Sequence, residues 1–415
     1  MPFGCRQDIY RISLISPIQP QKQIAEPLCI ENTSKMENKY IIPELPLKYD
    51  LETKAVLKQL NLSNKKLAEL KGVAQTIPNE NILINTLTLQ EAKDSSEVEN
   101  IVTTNDDLYR AELDLKHTII NASTKEVLNY RQALQAGFST ARKTKLLTLN
   151  DIKRIQQKLE TNNAGFRRIP GTRLKNAQGE TVYTPPQNGQ EVERLMDNLE
   201  KYINVAEFHD VDPLMKMAII HHQFESIHPF YDGNGRTGRI ISILYLVIND
   251  LLDLPILYLS RYITHHKNEY YHLIQQIRDK STQGNAHEWE QWILFILKGV
   301  EETADETIRL VKGISALMAE YKKALRPLLG KNYKHELLNN LFFHPYTKID
   351  FIMKDMMVQR KTAAKYLDMI VNAGLLEKIK LGRSNYYMNI RLINLFMNHG
   401  TKHEDKHELI ESVQE

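Results

Sequence analysis

The sequence predicts a mainly α-helical protein that carries one small β-hairpin and ends in a separate α+β unit. Three observations support this fold class. Apolar residues recur at helical spacing along most of the chain, two short extended pieces flank a polar turn near residues 176–180, and after residue 330 the pattern becomes helix, turn, helix, hairpin. The 415 residues are 42% hydrophobic and 25% charged, which is typical of a globular chain with two or three domains.

The amino-terminal part divides into an extension and a helical region. Residues 1–38 contain four prolines and no sustained periodicity, which predicts a flexible extension. Residues 39–145 show apolar side chains at helical spacing and are expected to form a helical region. Cys5 and Cys29 lie in the extension and are too few for a disulfide framework.

Charge and hydropathy exclude several function classes. A net charge of +3 over this length gives no case for nucleic-acid binding by charge alone. No apolar run approaches the roughly 18 residues that a membrane helix needs, and the first twenty residues lack a signal pattern. These features predict a protein without a membrane segment that resides in the cytoplasm.

The most informative stretch is His228–Arg239, with the sequence HPFYDGNGRTGR. Helical patterns precede it, from Asp212, and follow it, from about Arg236, so it forms a helix–loop–helix corner. Its glycines allow a nest of backbone N–H groups at a helix N-terminus, which favours anions such as phosphate. Asp232 adds an oxygen ligand suited to Mg²⁺, and His228 adds a base that titrates near neutrality. The stretch therefore predicts transfer of a phosphate-containing group.

This stretch resembles the signature of the Fic family, H-P-F-x-[DE]-G-N-G-R-x-x-R, at every position. The resemblance implies a Fic-type helical bundle that transfers AMP from ATP to a Ser, Thr or Tyr hydroxyl of a protein, with Mg²⁺ or Mn²⁺ as cofactor. It also implies a role for each matching residue: His228 as the base, Asp232 as the metal ligand, Phe230 as the anchor of the loop, Gly233, Asn234 and Gly235 as the phosphate cradle, and Arg236 and Arg239 as ligands of the β- and γ-phosphates. The alternative is a glycine-bearing turn between two core helices with solvated arginines.

Residues 95–100, with the sequence SSEVEN, have two interpretations. As a capping box, Ser96 and Glu99 begin a helix. The stretch also resembles the [ST]-x-x-x-E-[GN] inhibitory motif of Fic proteins, with Ser95 and Glu99 at its defining positions. We expect an inhibitory helix around residues 95–105 in which Glu99 pairs with Arg239 and so prevents productive binding of ATP.

Residues 165–186 predict a β-hairpin that resembles the Fic flap, which pairs with an extended segment of the target protein. A surface hairpin without a partner is the alternative. Arg167 falls where the family often has an arginine ahead of the flap, and the sequence assigns it no firm role.

The catalytic core is predicted to span residues 146–300. Further candidate contacts to the nucleotide are Gln223, Tyr262, His266, Tyr270 and Tyr271, although aromatic packing between helices is an alternative for the tyrosines. The spacing of His221 and His222 from His228 does not favour a metal site.

The carboxyl-terminal part is predicted to contain a connecting helix at 301–330, a winged-helix domain at 331–395 and a polar tail at 396–415. Residues 345–395 hold nine Lys and Arg against four Asp and Glu, which leaves DNA binding, protein contacts and a homodimer open as functions of this domain. In the tail, His399, His403 and His407 have metal-ligand spacing, but Gly400 favours a solvated tail.

Three functions therefore compete. The first is protein AMP transfer, including self-modification and the reverse reaction with Glu99 positioning water. The second is phosphotransfer as in the Doc branch, against which Gly235 argues because that branch has lysine there. The third is a winged-helix DNA-binding regulator whose core senses nucleotide.

Overall fold

The computed structural model describes residues 40–112, 121–279, 285–381 and 384–397. The predictions for the 1–38 extension, its two cysteines and the histidines of the tail lie outside the described residues.

The described residues form fifteen α-helices and five short strands, which confirms the mainly α fold class. In chain order the elements are α1 Lys54–Ala74, α2 Glu80–Val98, α3 Asn105–Glu112, α4 Ala122–Thr144, α5 Leu149–Glu160, β1 Leu174–Lys175, β2 Thr181–Tyr183, α6 Gly189–Asn204, α7 Pro213–Ile227, α8 Asn234–Ile248, α9 Leu259–His265, α10 Lys267–Asp279, α11 Ala286–Leu329, α12 His335–Phe343, β3 Tyr346–Lys348, α13 Ile349–Met356, α14 Arg360–Asn372, β4 Glu377–Leu381, β5 Ser384–Met388 and α15 Ile390–Met397. No helix of this part of the chain is both long enough and apolar enough to cross a membrane.

Helices α7 and α8 form the centre of the core. Every residue of α7 from Leu214 to Ile227 is buried, including six polar or charged side chains, so other elements surround this helix on all sides. Asp212 caps α7 by accepting a hydrogen bond from the Leu214 N–H at 2.7 Å, and Pro213 occupies its first turn. Helix α8 begins at Asn234, two residues before the predicted start, and packs against α4, α5 and α7.

The predicted helix at 95–105 is wrong, because these residues belong to the end of α2 and the turn that follows. Asn100 has a left-handed backbone with φ of 62°. Its N–H bonds to the Glu97 carbonyl at 2.9 Å, and the Ile101 N–H bonds to the Ser96 carbonyl at 3.0 Å. This pair of bonds is a Schellman motif, which ends a helix. The capping-box interpretation is therefore wrong as well, and Glu99 is the C-cap of α2.

The predicted hairpin is present and antiparallel, with Leu174 opposite Tyr183. Asn176 closes its turn, since its side-chain oxygen accepts hydrogen bonds from the N–H groups of Gln178 and Glu180 at 3.1 and 2.9 Å. The Tyr183 hydroxyl donates to the Ser226 carbonyl at 2.8 Å, which fixes the hairpin to the last turn of α7.

One long helix joins the core to the carboxyl-terminal unit. Helix α11 runs without a break from Ala286 to Leu329 and continues through the predicted core boundary near residue 300. Beyond it, α12 to α14 and an antiparallel sheet of order β3-β5-β4 show the predicted succession of helix, turn, helix and hairpin. We refer to residues 335–397 as the C-terminal unit. The exact domain limits stay predictions.

Candidate functional site

His228 is the C-cap of α7 and has a left-handed backbone with φ of 49°. Arg167 stabilises this corner with two hydrogen bonds: its Nε donates to the His228 carbonyl at 2.7 Å and its Nη2 to the Ile227 carbonyl at 3.0 Å. The guanidinium thus binds the unpaired carbonyls at a helix end, where a cation also complements the helix dipole. The sequence marked Arg167 only by its place ahead of the flap and missed this role.

The environment of His228 keeps its imidazole neutral. Burial lowers its pKa to about 3, and the nearby cations Arg167 and Arg278 act in the same direction. A neutral imidazole has a free lone pair and can accept a proton from a hydroxyl. The side chain is therefore in the protonation state that a general base requires at neutral pH.

The loop after His228 is held by contacts of its own residues. The Asn234 side chain accepts a hydrogen bond from the Phe230 N–H at 2.8 Å and donates one to the Phe230 carbonyl at 2.9 Å. The Phe230 ring is fully buried, with its centroid 5.2 Å from that of Phe166. Gly233 is the N-cap of α8, has φ of 75° and has no side chain with which to cap the helix. The loop therefore presents backbone N–H groups at a helix start, as anion binding requires. The side-chain amide of Asn234 is not available to an anion, because it bonds to Phe230.

Asp232 is exposed at the mouth of this loop, and its Oδ1 accepts a hydrogen bond from the Gly233 N–H at 2.7 Å. Within the described ranges, no three His, Cys, Asp or Glu side chains group together as a metal site. A single carboxylate fits Mg²⁺ only where phosphate oxygens and water complete the coordination shell, which is a common mode for this ion. Asp232 is thus suited to a metal that arrives with a nucleotide.

Arg239 is buried and bound by residues of α2. Its Nε donates to the Ser95 hydroxyl at 2.7 Å, and its Nη2 donates to the Ser95 carbonyl and to Glu99 Oε1, both at 2.9 Å. Burial is the largest single influence on Arg239 and opposes its charge, but Glu99, Tyr270, Tyr130 and Glu225 together outweigh it, so the pKa of Arg239 is raised. The structure therefore brings Arg239 together with Ser95 and Glu99, the two residues at the defining positions of the predicted inhibitory motif.

The Glu99 carboxylate also lies at the N-terminus of α8. A Cβ built on Gly235 would come within 2.2 Å of Glu99 Oε1. The carboxylate is thus an anion placed beside the first turn of α8 and against Arg239, where both the helix dipole and the guanidinium favour negative charge. A phosphate group would meet the same two partners.

Arg236 has different partners, which the sequence did not predict. Its Nη1 donates to Glu126 of α4 at 3.0 Å and its Nη2 to Glu160 of α5 at 2.8 Å. A Cβ on Gly233 would lie 2.4 Å from Glu160 Oε1. These glutamates are 110 and 76 residues from Arg236, so no local spacing could reveal them.

A cavity of about 220 Å³ opens beside the loop. Its lining includes the predicted residues His228, Asp232, Gly233, Asn234, Gly235, Arg236 and Glu99. Ligand pockets usually have roughly 300–1,000 Å³. The cavity is smaller than this range, and Glu99 forms part of its wall.

The remaining candidate contacts do not line this cavity. The Gln223 amide donates to the Pro43 carbonyl at 2.7 Å, and the His266 ring lies 4.2 Å from that of Tyr262. The Tyr270 hydroxyl bonds to His221 Nε2 at 2.8 Å within the core. Tyr271 lies close enough to Glu99 for its pKa to respond, since burial and that carboxylate both raise it. The pKa of Tyr270 also responds to Glu99 and Arg239, so both tyrosines lie near this pair of charges.

The fold and this site together define a class: a mainly helical protein in which His228, Asp232, the N-terminus of α8 and two arginines paired with glutamates surround one loop. Comparisons with known proteins identify the family. Residues 57–139 match the model "Fic/DOC family N-terminal", residues 146–246 match "Fic/DOC family", and residues 317–392 match "Protein adenylyltransferase SoFic-like, C-terminal domain". The chain belongs to the Fic family.

Individual relatives resemble short parts of the chain. A probable protein adenylyltransferase of Aquifex aeolicus is 46% identical over 54 residues, which are 13% of this chain and 17% of that protein. The protein adenylyltransferase Fic of Drosophila yakuba is 29% identical over 126 residues, 30% of this chain and 22% of that protein. The chain thus spans about a fifth of the length of these curated relatives. A Fic family protein from Desulfovibrio desulfuricans shares the fold with a TM-score of 0.52 and 18% identity, over 81% of this chain and 96% of that one.

Proposed function

We propose that this protein is an adenylyltransferase that moves AMP from ATP to a hydroxyl of a Ser, Thr or Tyr side chain on a protein, itself included. The observation that carries the proposal is that the neutral His228 and the N-terminus of α8 line the same cavity. A base and a site that favours phosphate therefore lie side by side. The family match and the printed names of the relatives support it.

In this reaction the acceptor hydroxyl attacks the α-phosphorus, its proton passes to His228, and pyrophosphate leaves. Mg²⁺ or Mn²⁺, held by Asp232, supplies charge neutralisation at the phosphates when bound. The α8 N-terminus and Arg239 meet the remaining negative charge. The hairpin at 165–186 presents the target, and the exposed side chains of Ile169 and Val182 offer it an apolar contact.

The test is incubation of the purified protein with ATP and Mg²⁺, followed by intact-mass measurement. We expect a mass gain of one AMP in Glu99→Gly, which lacks the carboxylate beside Arg239, and none when His228→Ala is added to it, because removing a general base costs roughly 10²–10⁴ in rate. A gain of one phosphate instead would favour the Doc-type reaction and contradict the proposal.

We further propose that Glu99 inhibits the enzyme from within the same chain. Its carboxylate holds the position and the partners that a nucleotide phosphate needs, so ATP binds productively only after Glu99 leaves. Restored to a position beside bound AMP, the same carboxylate could orient water for the reverse removal of AMP.

Glu99→Gly is expected to raise AMP transfer by about tenfold or more, because it frees the charge on Arg239. Glu80→Gln is a suitable control, since Glu80 pairs with Arg142 in an exposed position on the same helix. Equal transfer by Glu99→Gly and wild type in a radiolabelled-ATP assay would exclude the inhibition.

A second candidate function is DNA binding by a winged helix in the C-terminal unit. Helix α14 buries Ala363, Leu367 and Ile370 and leaves Arg360, Lys361 and Lys365 exposed. Phosphate contacts by such a face would make the affinity for DNA fall steeply with salt. If the protein is a DNA-binding regulator, the His228→Ala variant should bind DNA as tightly as the wild type. A gel-shift titration measures this affinity. A cytoplasmic location and a homodimer remain parts of the proposal.

A further inference from the structure

The C-terminal unit contacts the part of the chain that carries Glu99. Helix α12 packs against α2, where the Asn85 side-chain amide donates to the Phe343 carbonyl at 3.0 Å. This contact lies in the amino-terminal half of α2, fourteen residues before Glu99.

A second contact lies on the other side of Glu99. The ring of Tyr346, in β3, stacks on that of Tyr109, in α3, with centroids 5.5 Å apart and planes 23° apart. The Tyr346 hydroxyl donates to Asp106 Oδ1 at 2.7 Å. Asp106 is seven residues after Glu99, so the two contacts bracket the Schellman turn that presents the carboxylate.

The opposite face of α2 is held by the catalytic core. The Ser260 hydroxyl donates to the buried Glu91, and the Thr264 hydroxyl donates to the Asp94 carbonyl at 3.2 Å. At the turn itself, Lys267 Nζ donates to Asn100 Oδ1 at 2.9 Å. Helix α2 therefore lies between the C-terminal unit and the catalytic core, and the position of its last turn depends on contacts with both.

We propose that the C-terminal unit is a regulatory element that holds Glu99 against Arg239 through α2 and α3, so that displacing the unit releases the inhibition. This inference rests on the proposed inhibition by Glu99. A helix is stiff, and from Asn85 to Glu99 it spans roughly 20 Å at 1.5 Å per residue, so a shift imposed near Phe343 reaches the phosphate site. A partner that binds the C-terminal unit would thus change the occupancy of Arg239 without touching the cavity.

The interface offers a nearly isosteric test. Tyr346→Phe keeps the ring stack on Tyr109 and removes the hydrogen bond to Asp106, and Asn85→Ala removes the contact with Phe343. Lys378→Ala is the control, because Lys378 pairs with Asp368 inside the C-terminal unit at 2.8 Å. Each variant is made in the full chain, in the wild-type background and with Glu99→Gly.

Two measurements are independent of transfer activity: hydrogen exchange of the amides at 95–104, and the affinity for a fluorescent ATP analogue. In Tyr346→Phe and Asn85→Ala we expect exchange to accelerate and affinity to rise about two- to tenfold each, the range of one hydrogen bond of usual strength. With Glu99→Gly present, the accelerated exchange should persist and the gain in affinity should vanish.

The outcomes separate the two proposals. If Glu99→Gly tightens nucleotide binding but both interface variants match the Lys378→Ala control, the coupling is refuted and the inhibition stands. A gain in affinity that persists in the Glu99→Gly background also refutes the coupling, because it does not act through Glu99. If Glu99→Gly leaves both nucleotide affinity and AMP transfer unchanged, the inhibition itself is refuted and the regulatory role falls with it.

Discussion

Arg236 and Arg239, the two arginines that follow the loop after His228, are held in similar ways, each by a glutamate that also lies against a glycine. Arg236 pairs with Glu160 at 2.8 Å, and Glu160 lies against Gly233. Arg239 pairs with Glu99 at 2.9 Å, and Glu99 lies against Gly235. Both glutamates end a helix, Glu160 in α5 and Glu99 in α2.

The difference lies in the number of carboxylates and in what surrounds them. Arg236 has a second carboxylate, Glu126, so this set carries a net charge of −1 when all three groups are ionised. Arg239 is ion-paired with one carboxylate and otherwise bonds to the neutral Ser95, so this directly bonded set is neutral, while the buried Glu225 also favours the charge on Arg239. Helix α5 packs on α4 and α8 in the core, whereas α2 is shared with the C-terminal unit.

This difference assigns the two arginines different tasks. If Glu99 withdraws, Arg239 keeps its charge and faces the α8 N-terminus without a counterion from α2. If Glu160 withdraws, Glu126 still neutralises Arg236. We therefore interpret Arg236 as the residue that fixes the loop to α4 and α5, and Arg239 as the one whose charge is available to a phosphate.

The largest expected effect that separates them is on stability. Arg236→Ala leaves two carboxylates near each other, one of them mostly buried, and we expect a loss of about 3–5 kcal/mol in the free energy of unfolding. Arg239→Ala leaves only Glu99, at a helix end beside the cavity where it can turn to water, and should cost about 1–2 kcal/mol. Urea denaturation followed by circular dichroism measures both.

Arg142→Ala is the matched control for this pair of variants. Its ion pair with Glu80 is exposed on both sides, so its loss should cost at most about 1 kcal/mol. Equal losses for Arg236→Ala and Arg239→Ala would remove the distinction between a fixing and an available arginine.

The sequence revealed one of the two sets and not the other, for a physical reason. Glu99 could be found because residues 95–100 resemble the inhibitory motif of Fic proteins. The Asn or Gly at the last position of that motif has a physical reason, since Asn100 has a left-handed backbone that ends the helix. The predicted location of its helix was nevertheless wrong, because serines beside a glutamate resemble a helix start. Glu126, Glu160 and the carbonyl contacts of Arg167 depend on tertiary packing between distant helices, and no spacing in the sequence encodes them.

The next prediction concerns the pH dependence of stability, and it tests only the set formed by Arg236, Glu126 and Glu160. Burial raises the pKa of Glu160 from 4.5 to about 7, in spite of the opposing attraction of Arg236. A carboxyl with a raised pKa in the folded state contributes stability that is present below pH 4.5 and is lost as the pH rises through about 7. We expect wild type to lose roughly 2 kcal/mol relative to Glu160→Gln between pH 5 and 8.

Urea midpoints of the two proteins at pH 5, 6, 7 and 8 give this difference, with Glu80→Gln as a surface control. Parallel curves for wild type and Glu160→Gln would mean that Arg236 keeps Glu160 ionised throughout this range. The Arg236 set would then be a simple ion pair, and burial would not distinguish it from the Arg239 set.

The smallest expected effect on stability is that of a substitution at Gly235, and the same substitution at Gly233 is its comparison. Gly233→Ala should destabilise by about 1–3 kcal/mol in any background, because φ of 75° strains a residue with a Cβ and the Cβ meets the buried Glu160. Gly235 is inside α8, where alanine is favoured over glycine by about 1 kcal/mol. There the Cβ meets the end of the Glu99 side chain at 2.2 Å and Arg239 Nη1 at 3.1 Å.

A double-mutant cycle with Glu99→Gly therefore distinguishes the two sets. Once Glu99 is absent, we expect Gly235→Ala to stabilise the protein by up to about 1 kcal/mol, while Gly233→Ala stays as costly as before. This change of sign at Gly235 measures how much of the requirement for glycine comes from the Glu99 carboxylate rather than from the loop. If Gly235→Ala costs the same with and without Glu99, the Cβ is opposed by Arg239 or the backbone, and Glu99 is not what requires glycine at this position.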